Sequence, residues 1–188
     1  MKQAEIIKNM SDEELRKQLL LSQCIFFIIS ICLSFFFFPH LSNWFLYFHL
    51  DAKQIIMLGI IPAIAIVIIE IILYSVVPPR YFDDGGINEK VFKNQSLGNI
   101  FLISIVVAIS EEFLFRGVIQ TSFGYLFAST LFALVHFRYL KKPLLLILVF
   151  LISFILGYLF NVTENLLVVI AFHFTVDFLL GIYIKYKM

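Results

Sequence analysis

Residues 19–38 read LLLSQCIFFIISICLSFFFF. No charged side chain interrupts these positions, and a helix of about 20 residues crosses the ~30 Å hydrocarbon core of a bilayer. A secretory signal would have a shorter apolar stretch and a small-x-small cleavage site. This run ends instead in four phenylalanines and Pro39, so it is read as a retained anchor. Further apolar runs follow at residues 55–77, 97–117, 122–139, 143–160 and 166–184. Within a bilayer every backbone N–H and C=O has to be satisfied internally, which leaves helices or a closed barrel. Barrel strands alternate apolar and polar residues, whereas these runs are continuous. The expected fold is all-α: a polytopic transmembrane helical bundle of about six spans.

Composition agrees. Of the 188 residues 61% are apolar and 14% charged, with mean hydropathy +0.97, against about 45–50% and about 25% in soluble domains. A net charge of +1 with no basic stripe argues against nucleic acid as a partner. Cys24 and Cys32 lie in the first run and are read as small apolar packing residues, too few for a disulfide framework. Residues 1–18 form a polar N-terminal segment. In it Ser11-Asp12-Glu13-Glu14 has the S-x-x-E form of a capping box, opening a short helix that leads into the membrane. Residues 19–184 read as one transmembrane domain, with a candidate catalytic core over residues 97–184 and one sizeable loop at residues 78–96.

The basic residues set the orientation. With six spans and both termini cytoplasmic, the inner segments hold Lys2, Lys8, Arg16, Lys17, Arg80, Lys90, Lys93, Arg138, Lys141, Lys142, Lys185 and Lys187. That is twelve of the fourteen Lys and Arg; Lys53 falls outside and Arg116 within the third span. The positive-inside rule favours this arrangement, and merging two spans would destroy the asymmetry. The expected location is the cell membrane, multi-pass.

Ionisable groups inside spans are costly, roughly 2.5–3.5 kcal/mol each on insertion scales, and so mark function by default. The densest cluster is Glu111-Glu112-Phe113-Leu114-Phe115-Arg116. Glu112 and Arg116 are four apart and can pair on one helix face. Glu111 points about 100° away and is left for another partner. His136 lies in the fourth run, four residues after Phe132; His173 and Asp177 share a face of the last span. Taken singly, these are also what a salt-bridged helix end, an interfacial histidine or a helix-packing hydrogen bond would look like. Together, acids and imidazoles on three spans suit hydrolysis, which needs a base for water and donors for an oxyanion. A carboxylate with two histidines could also hold Zn²⁺ with water as fourth ligand. No H-E-x-x-H, Walker, G-x-S-x-G or dinucleotide motif is present.

Glu111-Glu112-x-x-x-Arg116, Phe132-x-x-x-His136 and His173-x-x-x-Asp177 resemble, in order, the three motifs of the CPBP (Abi) intramembrane proteases. That family comprises the CAAX prenyl endopeptidases and bacteriocin-processing relatives. The resemblance implies an endopeptidase acting on a membrane-associated peptide, in CAAX-type processing, leader or bacteriocin maturation, or self-immunity. It implies that Glu111 activates the water with help from His136, that His173 and Asp177 stabilise the oxyanion, and that Arg116 fixes Glu112. Two chemistries stay open: a water activated by Glu111 without a cofactor, which the visible residues favour, and zinc held by Glu111, His136 and His173. The last motif usually ends in Asn, an amide donor; Asp177 donates only when protonated, or else orients His173.

Depth poses a difficulty. Glu111 should lie about 20 Å from the inner end of its span, yet His136 is only a few residues from the inner cluster at Arg138 and Lys141. They meet only if spans tilt or begin elsewhere, with Gly117 and Gly124 allowing a break. Glu70 either lines the cavity or snorkels to the inner surface. His40, Trp44 and His49 fit an outer interfacial belt. The rival functions are a non-catalytic membrane immunity or binding protein and a small proton-coupled transporter, though the chain shows no matching halves.

Overall fold

Ser11 opens the first helix. Its hydroxyl accepts from Glu14 N–H while the Glu14 carboxylate accepts from Ser11 N–H, so the capping box closes in both directions. Asp12, Glu13 and Glu14 complement the positive end of the helix dipole. The resulting helix α1, Asp12–Phe37, is not a short lead-in but runs straight through the span and stops before Pro39. The computed structural model describes residues 10–139 and 142–187. Lys2, Lys8 and Lys141 of the orientation count, and the first half of the polar segment 1–18, lie outside the described residues.

Helix α2, Ala52–Val76, starts at Asp51, whose carboxylate accepts from Gln54 N–H, and ends at a Pro78-Pro79 pair. Its turns over Ile55–Ile60 widen to π geometry just before Pro62. Proline lacks the N–H and its ring crowds the carbonyl four residues back, so a wider turn relieves the clash. After the short α3, Ile87–Phe92, come α4, Leu97–Phe123, α5, Tyr125–Val135, α6, Pro143–Thr163, and α7, Leu166–Lys187. No strand occurs among the described residues.

Five of these helices are long and apolar enough to cross a membrane, while α5 is shorter, at 11 residues. A turn of 3₁₀ helix, Phe137–Tyr139, continues its path. The six expected spans thus correspond to five helices of spanning length and the shorter α5. Lys90 Nζ donates to Met10 O, Asn94 to Asp12, and Lys185 Nζ to Gln95 O, which gathers the start of α1, α3 and the end of α7 at one end of the bundle. At the opposite end Asn165, fully buried, accepts from His49 N–H and donates to His49 O and Gln54 Oε1.

Helix α7 sits centrally, packed against α2, α3, α4 and α6. The main core joins Ala63 and Val67 of α2, Ala108 of α4, Leu156 and Phe160 of α6, and Leu166, Phe172 and Val176 of α7. Half of each of α4 and α7 is buried, against 17% of α1. The large apolar side chains left outside, such as Ile28, Phe35 and Phe36, are what a lipid-facing surface requires. Cys24 and Cys32 lie on this outer surface as free thiols, so they face outward instead of packing inside.

Candidate active site

The depth difficulty resolves at Gly124. This glycine has φ +86°, a conformation L side chains rarely adopt, and it separates α4 from α5. Glu111 lies 13 residues before it and His136 lies 12 after it. At about 1.5 Å per residue both stand roughly 18–20 Å from the hairpin tip. The expected fourth span, 122–139, had hidden this, because its helix stops at Val135 in mid-bundle.

Glu111 and Glu112 end the regular part of α4, and Phe113–Gln120 follow as π-helical turns. Single π segments inside α-helices are frequent at functional sites because they re-aim side chains. Gly117 lies within this segment, and a Cβ there would stand 2.5 Å from the Trp44 ring. Trp44 stacks on Phe113 with centroids 4.9 Å apart. It thus packs over the π turn, while His40 and His49 are exposed.

Glu112 and Arg116 are fully buried, with Oε2 and Nε 3.3 Å apart. That is ion-pair distance, although the N–H is not aligned as a hydrogen bond. Arg116 is held from its other side. Its Nη2 donates to Ser153 O at 2.9 Å and to Ser153 Oγ at 3.2 Å, and the guanidinium lies 4.5 Å from the Phe132 ring centroid. The second oxygen of Glu112 reaches His173 Nδ1 at 2.7 Å. Glu112 therefore links Arg116 to His173, and Glu112, more than Asp177, fixes the ring. His173 Nε2 then faces Glu111 Oε2 at 3.9 Å and Asp177 Oδ2 at 3.6 Å.

His136 closes α5. Its Nδ1 lies 2.8 Å from Phe132 O, and a carbonyl can only accept, so Nδ1 carries the hydrogen and Nε2 keeps a lone pair. Glu111, His136, His173 and Asp177 all line one cavity of about 750 Å³. Glu112 and Arg116 stand behind its wall. The cavity reaches past Gln18, Ile87 and Asn88 to Met10 and Ile184, toward the end of the bundle that gathers α3 and the two terminal helices.

Several lining or supporting residues were not singled out in the sequence. Gln23 of α1, buried, donates from Nε2 to Glu111 Oε1 at 3.2 Å, giving Glu111 the partner its unpaired position demanded. Ser153 caps Arg116, and Arg138 lines the cavity, not only the inner surface. The available signal was a lone amide or hydroxyl inside an apolar span, but spacing cannot say what it meets on another helix. Glu70, left between two readings, lines the cavity and is 5% exposed.

The zinc alternative needs Glu111, His136 and His173 around one ion. Among the described residues no three His, Cys, Asp or Glu side chains converge as such a ligand set. As placed, the donors do not fit a metal ion, and no step below runs through one.

A family model for type II CAAX prenyl endopeptidase Rce1-like proteins matches residues 93–179, a stretch that holds all three motifs. The uncharacterized protein YpbD of Bacillus subtilis (strain 168) is 34% identical over 167 residues, covering 89% of this chain and 88% of its own. No solved structure matches. With the motifs in order on the helices that wall one cavity, this multi-pass membrane protein belongs to the type II CAAX prenyl endopeptidase Rce1-like family.

Proposed function

We propose that the protein is an intramembrane endopeptidase of the cell membrane that hydrolyses a peptide bond with a water activated by Glu111. One observation carries this reading: Glu111 from α4, His136 from the end of α5, and His173 with Asp177 from α7 line a single cavity within the bundle. Groups on three separate helices converge there, away from lipid.

Water sits between the Glu111 carboxylate and the free Nε2 of His136. Glu111 takes its proton as the water oxygen bonds to the scissile carbonyl carbon. The developing oxyanion is met by His173: both ring nitrogens face carboxylates, which places a doubly protonated ring as a donor on each side. Asp177, 30% exposed at its side chain, adds a donor from the same wall when it carries a proton. Collapse of the tetrahedral species breaks the C–N bond, and Glu111 returns its proton to the leaving amine. Glu112 and Arg116 hold His173 in register throughout.

The cavity's opening at the end that carries the terminal helices suits a peptide delivered from that side, cytoplasmic by the basic-residue count. Lipidated CAAX-like tails and leader or bacteriocin-type peptides both belong to the substrate class this fits. The test is a comparison of membrane-associated peptides between a wild-type strain and one carrying Glu111→Gln. Loss of a general base costs roughly 10²–10⁴-fold in rate, so uncleaved precursors should accumulate while the level of the variant protein is unchanged. Identical peptide profiles in the two strains would overturn the reading.

A further inference from the structure

The mechanism leaves one acid unused. Glu70 stands on α2, within the membrane-spanning part, and is 5% exposed. It lines the cavity, and among the described residues it makes no hydrogen bond and no ion pair. An acid so placed is costly unless something pairs with it. Snorkelling does not explain it, because the side chain opens on the cavity and not on the bundle's outer surface. Glu112, by contrast, has both oxygens engaged by Arg116 and His173.

The charges on the cavity wall say what would pair with it. Glu70, Glu111 and Asp177 face the cavity against the Arg138 guanidinium, which already donates to Tyr139 Oη, and the His173 ring, which is engaged by Glu111 and Asp177. Glu112 and Arg116 offset one another behind the wall. Glu70 lies within electrostatic reach of Asp177, one turn beyond His173 on α7. The carboxylate without a partner therefore lines the same cavity as the reacting groups, where a charge-assisted contact with a substrate can form.

We infer that Glu70 is a specificity-determining residue that receives a basic side chain, lysine or arginine, of the peptide substrate close to the scissile bond. This rests on the endopeptidase reading. A basic residue of the peptide supplies the missing counter-charge on entry and fixes which bond lies over Glu111.

The experiment uses the full chain in proteoliposomes and a panel of synthetic N-lipidated peptides carrying Lys, Leu or Glu at each position in turn. A hydrogen bond to a charged group contributes about 1.5–3 kcal/mol, so wild type should cleave the Lys peptide about 10–100-fold faster than the Leu peptide at one position. In Glu70→Gln that ratio should collapse toward one, and in Glu70→Asp, which keeps the carboxylate, it should persist. Because the ratio is internal to each variant, loss of folded protein does not alter it. An absent Lys preference in wild type, or a preference retained in Glu70→Gln, overturns the inference while leaving the protease reading in place. Cleavage that survives in Glu111→Gln, or no cleavage of any peptide by wild type, overturns that reading and this inference with it.

Discussion

Glu111 and Glu112 are neighbours in sequence with opposite duties, and the difference is burial and company. Glu111 touches the cavity and receives one hydrogen bond from Gln23. Glu112 has no exposure and joins Arg116 to His173. Substitutions should separate the two. Removing one partner of a buried ion pair leaves the other charge uncompensated, at about 3–5 kcal/mol. Glu112→Gln is therefore expected to lower the unfolding midpoint in detergent and to reduce cleavage together, since His173 also loses the acceptor that orients it. Glu111→Gln should abolish cleavage with little change in the midpoint. Equal midpoints for Glu112→Gln and wild type would contradict the linking role. The pairing of Glu112 with Arg116 was legible from a spacing of four. The bond from Glu112 to His173 was not, because no sequence pattern relates residues 61 positions apart.

At the scale of elements, the π segment Phe113–Gln120 and the 3₁₀ helix Leu41–Tyr47 form one unit. Gly117 lets the Trp44 ring lie against the backbone of α4, and an added Cβ would meet Trp44 Cζ3 at 2.5 Å and Cη2 at 2.7 Å. Gly117→Ala is expected to destabilise the protein by about 1–3 kcal/mol through overpacking. Trp44→Phe removes both clashing atoms and should recover part of that loss in the double variant, a non-additivity that thermal unfolding of the two singles and the double measures. Strict additivity would show that the contact does not constrain α4. Apolar runs made the helices legible, and the Ser11 box even gave the start of α1. The half-length of α5 was not read from the sequence, since the expected span was drawn on to Tyr139, across His136 and Arg138, where the helix has already ended. That end is set by His136, whose ring Nδ1 and backbone N–H turn back to Phe132 O and Ala133 O.

For the whole molecule, the prediction concerns sidedness. With Cys24 and Cys32 replaced by serine, cysteines placed singly at Lys53, Lys90 and Lys185 should divide by access to a membrane-impermeant thiol reagent. Lys53→Cys is expected to react in intact cells, and Lys90→Cys and Lys185→Cys only after the membrane is opened. The reverse pattern would invert the orientation drawn from the basic residues. It would also turn outward the end of the cavity lined by Met10, Ile87 and Ile184.

What the chain's order of residues determined unaided was the solvent, the all-helical class of the fold and the three clusters of polar side chains. Each of these depends on composition within one segment, and a bilayer enforces it locally: an apolar stretch of sufficient length has to form a helix there. Only the tertiary structure decided that Gln23 supports Glu111, that Glu70 faces the cavity, and that His136 reaches the depth of Glu111. Those are distances between helices, fixed by where Gly124 turns the chain and by how α7 packs at the centre, and no single segment encodes them.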